Sequence, residues 1–217
     1  PPGAQVETVC SLGFAAAAVV QTSWRDFFDL ESGIADYSVA VGTEPLLDDV
    51  QAWSSVGVAS AANLSRPLGK SFVSVRARNG AGATVEAASA GLVRDVTAPI
   101  AGRVFAGAAN SPVSCQRTSL GVRAHWQEFF DRESGIQRYE FAIASAAAFI
   151  DDLQPFADVG LSQQAANLTL PVAAGDQFVV TVRATNNVGL SAIAQSDPVF
   201  VQSGALRSEC VFVGTHS

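Results

Sequence analysis

The sequence predicts an all-β chain of two tandem sandwich domains, and three observations carry that prediction. First, the segment Trp24-Arg25-Asp26-Phe27-Phe28-Asp29-Leu30-Glu31-Ser32-Gly33-Ile34, followed by Tyr37, returns as Trp126-Gln127-Glu128-Phe129-Phe130-Asp131-Arg132-Glu133-Ser134-Gly135-Ile136, followed by Tyr139. The shift from Trp24 to Trp126 is 102 residues, the length of a whole domain. Second, apolar residues alternate with period two, which places them on one face of a strand. Third, no segment shows a sustained helical stripe; the Ala-rich stretches Ala15–Ala18 and Ala146–Ala148 favour helix by propensity alone, so a helical turn is allowed only near Ala146.

In order along the sequence, the first half offers Ala18, Val20, Thr22 and Trp24 on one face, then Tyr37, Val39 and Val41, then Val73, Val75 and Ala77. The second half offers Leu120, Val122, Ala124 and Trp126, then Tyr139, Phe141 and Ile143, then Phe178, Val180, Val182 and Ala184. The offset drifts along the repeat: 102 for Trp24/Trp126, 103 for Trp53/Phe156, 104 for Asn63/Asn167 and 107 for Asn79/Asn186. Insertions therefore fall between strands, where loops absorb them. The boundary is placed at Asp95-Val96-Thr97-Ala98-Pro99, because Pro99 cannot donate to a ladder and forces Ala98 extended. The expected domains are residues 1–98 and 99–203, followed by a tail or a new segment over 204–217.

A protein of 217 residues with 48% hydrophobic and 15% charged residues has the apolar surface for two cores. Its net charge of −7 argues against nucleic acid, whose binding needs a Lys/Arg face to displace counterions. The longest apolar run, Phe14–Val20, falls well short of the roughly 18 residues of a bilayer span, so no direct membrane insertion is expected. The start at Pro1 and the lack of Met lead us to expect a piece of a longer polypeptide.

The strand B Trp, the strand C Tyr and the strand F pattern together resemble the fibronectin type III family. In the second copy the match runs through Trp126, Tyr139, Leu170, Gly175, Phe178, Val180, Val182, Ala184, Asn186 and Gly189; Trp24 and Tyr37 repeat its start in the first. The Phe-Asp-x-Glu-Ser-Gly-Ile run looks most like a divergent variant repeated in very large secreted and cell-surface proteins, including those of algae and other unicellular eukaryotes. Two departures stand out. Phe178 replaces the corner Tyr of the family, and the first copy is ambiguous there between Ser71 and Phe72, which suggests a bulge or register change.

Catalytic machinery is not visible. His125 precedes Trp126 on a strand with alternate apolar positions, which points it to solvent, and His216 lies in the tail. No nucleophile elbow, Cys-x-x-Cys pair or phosphate loop occurs. In the loop between strands B and C, the favoured reading is that Asp29 and Asp131 cap the turn, Ser-Gly makes it and Ile34 or Ile136 plugs the core. The alternative is calcium, which takes six to eight oxygens. In the resembling topology this loop shares a pole with the domain's N-terminus, so Asp95, Asp131 and Glu133 are the candidate calcium ligands.

Two sequons, Asn63-Leu64-Ser65 and Asn167-Leu168-Thr169, are expected at equivalent places, with Asn facing water and Leu facing the core. The three cysteines are Cys10, Cys115 and Cys210. In the resembling fold Cys115 precedes strand B at the pole where the last strand ends, which favours a Cys115–Cys210 disulfide and leaves Cys10 unpaired or intermolecular; three unpaired thiols are the alternative. The function expected is non-enzymatic: a spacer and interaction unit of a large extracellular or cell-surface glycoprotein, partnered by its other domains and by other surface proteins. The alternatives are a carbohydrate- or receptor-binding module, signalled by exposed Trp53 and Phe156, or an accessory domain of a larger extracellular enzyme.

Overall fold

The computed structural model describes residues 5–8, 13–109, 111–117, 121–145, 149–170 and 173–202. Cys10, Cys210, Leu120, the Ala146–Ala148 stretch and the tail over 204–217 lie outside them. The protein divides into two compact units, Pro1–Thr97 and Ala98–Ser217. Every element described is a strand, and each unit is a fibronectin type III-like sandwich.

Unit 1 runs β1 (Gln5–Thr8), β2 (Phe14–Ala15), β3 (Val19–Arg25), β4 (Ile34–Gly42), β5 (Gln51–Gly57), β6 (Ala61–Ser65), β7 (Gly69–Asn79), β8 (Thr84–Ala88) and β9 (Leu92–Arg94). One sheet has the order β1-β3-β6; the other has β2-β9-β7-β4-β5, with β8 also on β7. Unit 2 runs β10 (Arg103–Ala108), β11 (Ser111–Pro112), β12 (Cys115–Arg117), β13 (Val122–Gln127), β14 (Ile136–Ala144), β15 (Gln154–Asp158), β16 (Gln164–Asn167), β17 (Gln177–Asn186), β18 (Ser191–Gln195) and β19 (Val199–Gln202). Its sheets are β11-β10-β13-β16 and β12-β19-β17-β14-β15, with β18 on β17.

The alternating residues close each core. Trp24, Val39, Val41, Leu64, Val73, Val75 and Ala77 are buried together in unit 1, and Val122, Ala124, Trp126, Tyr139, Phe141, Ile143, Phe178, Val180, Val182 and Ala184 in unit 2. At the centre sits an aromatic trio. Trp24 and Phe27 both meet Tyr37 edge-on at 5.7 Å, and Trp126 and Phe129 meet Tyr139 at 5.8 and 5.7 Å. Edge-to-face contact aligns the positive ring edge with the negative face. Neither indole N–H has a hydrogen-bond acceptor among the described residues, so both Trp rings are held by packing.

The expected irregularity at Ser71/Phe72 is absent. β7 pairs with β4 without a shift from Asp36↔Arg78 to Gly42↔Phe72. Ser71 lies opposite Leu92 as Phe178 lies opposite Val199, so Ser71 takes the corner position and Phe72 points to the other face. Ser71 is fully buried there, and the buried Arg66 donates from Nη2 to its carbonyl at 2.8 Å. A polar pair thus replaces an aromatic ring, which hid the register in the sequence.

Each last strand is broken where a serine substitutes for the ladder. Ser89 donates its N–H to the Val73 carbonyl at 2.8 Å and accepts the Val73 N–H on Oγ at 3.0 Å. Ser196 does the same with Val180 at 2.9 and 3.0 Å. Buried backbone groups at the break are thereby satisfied.

Asp26 and Glu128 occupy the same place in the two copies with φ of 63° and 65°. This left-handed geometry, costing a non-glycine residue about 1–2 kcal/mol, swings Phe27 and Phe129 inward. Gly102 allows the crossing in unit 2, since a Cβ there would run into the Gln127 carbonyl. Urea denaturation checks the strain: Glu128→Gly leaves the unit 2 midpoint unchanged or raised, whereas Glu128→Val lowers stability by about 1–2 kcal/mol.

Candidate functional site

The loops that join β3 to β4 and β13 to β14 carry the repeated carboxylates, and these are engaged by the fold. Asp29 Oδ1 accepts the Ser32 N–H at 2.7 Å, the Glu31 N–H at 3.2 Å and the Ser32 hydroxyl at 3.1 Å, while Oδ2 accepts Asn79 Nδ2 at 3.0 Å. Asp131 Oδ1 accepts the N–H groups of Ser134 at 2.8 Å and Gly135 at 2.9 Å, and Oδ2 accepts Asn186 Nδ2 at 3.0 Å. Each Asn returns its Oδ1 to its own hairpin: Asn79 accepts from Ala83 at 2.8 Å, and Asn186 from Leu190 at 2.8 Å. The result is a latch from one loop, through Asp and Asn, to the hairpin after β7 or β17.

The Ser32 backbone N–H, with the Asn79 amide, lowers the Asp29 pKa to about 2. Burial opposes the charge of Asp131, but the Asn186 amide and the Ser134 and Gly135 N–H groups outweigh it and hold that carboxyl below its usual range. Asp29 and Asp131 thus cap their turns. Glu31 and Glu133 remain exposed, and Asp95, in unit 1, accepts the Thr97 N–H and hydroxyl at 2.9 and 3.0 Å.

A second repeated device escaped sequence reasoning. In the hairpin between β4 and β5, Asp49 clasps Thr43 through its N–H at 2.8 Å and its hydroxyl at 2.7 Å. Between β14 and β15, Asp152 clasps Ser145 at 2.8 and 2.6 Å. Gln195 further holds the Phe149 carbonyl at 2.8 Å, and Ser74 Oγ accepts the Leu46 N–H at 2.9 Å. What these clasps present is apolar: Leu46, Leu47 and Val50 in unit 1, and Phe149, Ile150 and Leu153 in unit 2, all exposed. The signal was the pair Leu-Leu-Asp-Asp-Val and Phe-Ile-Asp-Asp-Leu, two apolar residues, two acids and an apolar residue.

Trp53 and Phe156 are half-buried on β5 and β15, each with a ring face covered. The Arg76 guanidinium lies 4.1 Å from the Trp53 centroid and is tied to Glu86 at 2.7 Å. Arg183 lies 4.1 Å from the Phe156 centroid and forks onto Glu140 at 2.9 and 2.8 Å. Such cation–π stacks rigidify the sheet face. His125 is not directed freely to solvent as expected; it is half-buried, stacked on Phe105 at 4.9 Å, with Nδ1 3.3 Å from the Gly107 carbonyl. Beside it a groove of about 320 Å³ is lined by Gln127, Gln163, Gln164 and Ser162. His125 also lines it, and the Ser162 hydroxyl there donates to the Gln164 carbonyl at 2.8 Å.

The two sequons are not equivalent. Val20 pairs with Leu64, whereas the matching Val122 pairs with Asn167, so the true offset of β6 and β16 is 103 and the sequons are one residue out of step. A one-residue slip reverses the face of every side group along the strand. Asn63 is therefore exposed and Leu64 buried, while Leu168 is 60% exposed and Asn167 is half-buried. Asn167 Nδ2 donates to Gln154 Oε1 at 2.8 Å, and its Oδ1 accepts from Thr169.

No protein-family model and no curated protein sequence matches this protein. Among solved structures, it is similar to the fibronectin(III)-like modules of CbhA from Clostridium thermocellum, with 13% identity, TM-score 0.43, and 98% of this sequence and 100% of that one covered. It is also similar to the FN1–FN3 domains of chicken CNTN1, with 14% identity, TM-score 0.46, and 88% and 64% covered. A third likeness is to a Ca²⁺-stabilized adhesin with which an Antarctic bacterium binds ice, with 14% identity, TM-score 0.43, and 93% and 49% covered. The fold assignment rests on the strand order described above.

Because the Asp29 pKa is depressed, its latch stabilises unit 1 above the ordinary carboxylate range, and that contribution is lost as pH falls toward about 2. Acid titration of urea stability should show this loss and show it abolished in Asp29→Ala. In unit 2, Asp131→Ala should cost about 1–3 kcal/mol by leaving buried donors unpaired, with strong coupling to Asn186→Ala in a double-mutant cycle.

Proposed function

We propose that this protein is a non-enzymatic structural and adhesive segment of a large extracellular or cell-surface glycoprotein, in which both units act as spacers and as protein-interaction modules. The observation that carries the reading is the pair of clasped hairpins, each presenting three exposed apolar residues at the same place in its unit. Exposed apolar clusters on a rigid support favour protein contact. The partners we infer are other domains of the same protein and other surface proteins. The resemblance to repeats in algal and protist surface proteins supports placing the parent among them.

Two covalent features fit the same setting. Asn63 lies on β6, at the edge of its sheet, where a glycan would blunt an open strand edge. Cys115 opens β12, which runs parallel to β19 with Cys115 opposite Phe200, and Gln202 Nε2 lies 4.0 Å from its sulfur. The polypeptide leaves β19 at Gln202, opposite Arg117 and within side-chain reach of Cys115, which favours closure by Cys210, worth about 2–4 kcal/mol. The carbohydrate-binding reading has less support, since stacking on sugar needs an open ring face and Trp53 and Phe156 each have one under arginine.

Intact mass of the native protein, before and after deglycosylation and reduction, tests the extracellular part: one glycan on Asn63, none on Asn167, and one Cys115–Cys210 disulfide are expected. A bare, reduced mass overturns it. Analytical ultracentrifugation tests the adhesive part. Association that grows with concentration should disappear in a variant with Leu46→Ser, Leu47→Ser, Phe149→Ser and Ile150→Ser. Equal association of native protein and variant removes the hairpins from the reading.

A further inference from the structure

We propose that Asn79–Gly80 is a self-modifying site held in check by Asp29: when the latch opens, Asn79 converts spontaneously to aspartate or isoaspartate, and the converted residue cannot close it again. The reaction needs the backbone nitrogen of the following residue to reach the Asn amide carbon, Cγ, and glycine alone places no substituent in its way. Gly80 meets that need, and the fold imposes it, because a Cβ at position 80 would lie 2.8 Å from the Ser32 carbonyl oxygen. In unit 2 the residue after Asn186 is Asn187, whose amide occupies the corresponding space and donates to the Ser134 carbonyl at 2.6 Å. Only the first latch therefore contains the reactive pair.

In the closed state every reacting group is occupied. Asn79 Nδ2, part of the leaving ammonia, donates to Asp29 Oδ2 at 3.0 Å, and Oδ1 accepts the Ala83 N–H at 2.8 Å. The nucleophile is engaged too, since the Gly80 N–H donates to the Gly33 carbonyl at 3.2 Å. These bonds fix the amide and turn the Gly80 nitrogen toward Gly33. Once they part, the Gly80 nitrogen loses its proton to water and bonds to Asn79 Cγ. The Cγ–Nδ2 bond breaks, ammonia leaves, and a five-membered succinimide forms. Water then adds to one of its two carbonyls: cleavage between Cγ and the ring nitrogen yields aspartate, and cleavage between the backbone carbonyl carbon and that nitrogen yields isoaspartate. Amide and water are consumed and acid and ammonia produced, with no redox change. Gly80 is exposed, so water is at hand.

The product cannot restore the latch. It sets a second carboxylate against Asp29, which the Ser32 N–H keeps ionised, so an acceptor and a like charge replace the Nδ2 donor. Isoaspartate also lengthens the backbone within the hairpin and takes Oδ1 from the Ala83 N–H.

Incubation at mildly alkaline pH, with peptide mapping and isoaspartate methyltransferase labelling, reads the site. Native protein should accumulate isoaspartate at position 79 about tenfold or more slowly than protein held unfolded in urea, and Asp29→Ala, folded by its near-ultraviolet circular dichroism, should approach the unfolded rate. Asn186 should stay unmodified throughout. Equal native and unfolded rates, or no reaction at Asn79 in urea, overturn the proposal without recourse to any variant. A folded Asp29→Ala protein that reacts at the native rate overturns the role of Asp29.

Discussion

The polypeptide must pass from one sheet to the other between Trp24 and Ile34, and again between Trp126 and Ile136, and the rest of each unit depends on how tightly that crossing is fixed. Trp anchors the departure by packing edge-on against Tyr of the arrival strand. An acidic residue in left-handed geometry then turns the backbone so that Phe enters the same aromatic cluster. Two residues later Asp gathers the loop amides and ties them to Asn at the end of β7 or β17. The repeated segment is therefore one continuous instruction for a sheet-to-sheet passage.

The period-two runs were legible because core burial dictates them, and the core residues Trp24, Trp126, Tyr139 and Phe178 are all where the pattern put them. The capping role of Asp29 and Asp131 was legible from turn chemistry as well. Their Asn partners were not, since Asn79 and Asn186 stand 50 and 55 residues away and only the closed sandwich brings them near. Asp49 and Asp152 were missed for a different reason. Their clasps span 6 and 7 residues, but paired acids in a hairpin look like ordinary solvated charge.

Where the sequence misled, polar substitution of a core position was the cause. Ser71 with Arg66 fills the place of an aromatic ring, so the pattern was ambiguous between Ser71 and Phe72 and suggested an irregularity that the pairing of β7 with β4 does not show there. Asn167 occupies the inward position held by Leu64 in the first copy, so the two sequons stand one residue out of register. Duplication copied the sheet; it did not preserve which of these asparagines meets water.

In each unit a short early strand meets the last strand in parallel, β2 with β9 and β12 with β19. A pull that draws the start of one such strand away from the end of the other runs along both strands in opposite senses, so within unit 1 the bonds Val93 N–H to Gly13 and Asp95 N–H to Ala15 share the load, and in unit 2 the bond Phe200 N–H to Ser114 lies across the equivalent pair. An antiparallel hairpin pulled from its open end gives way one rung at a time. For the spacer role proposed above, the first arrangement resists tension better, because its hydrogen bonds shear together rather than one at a time.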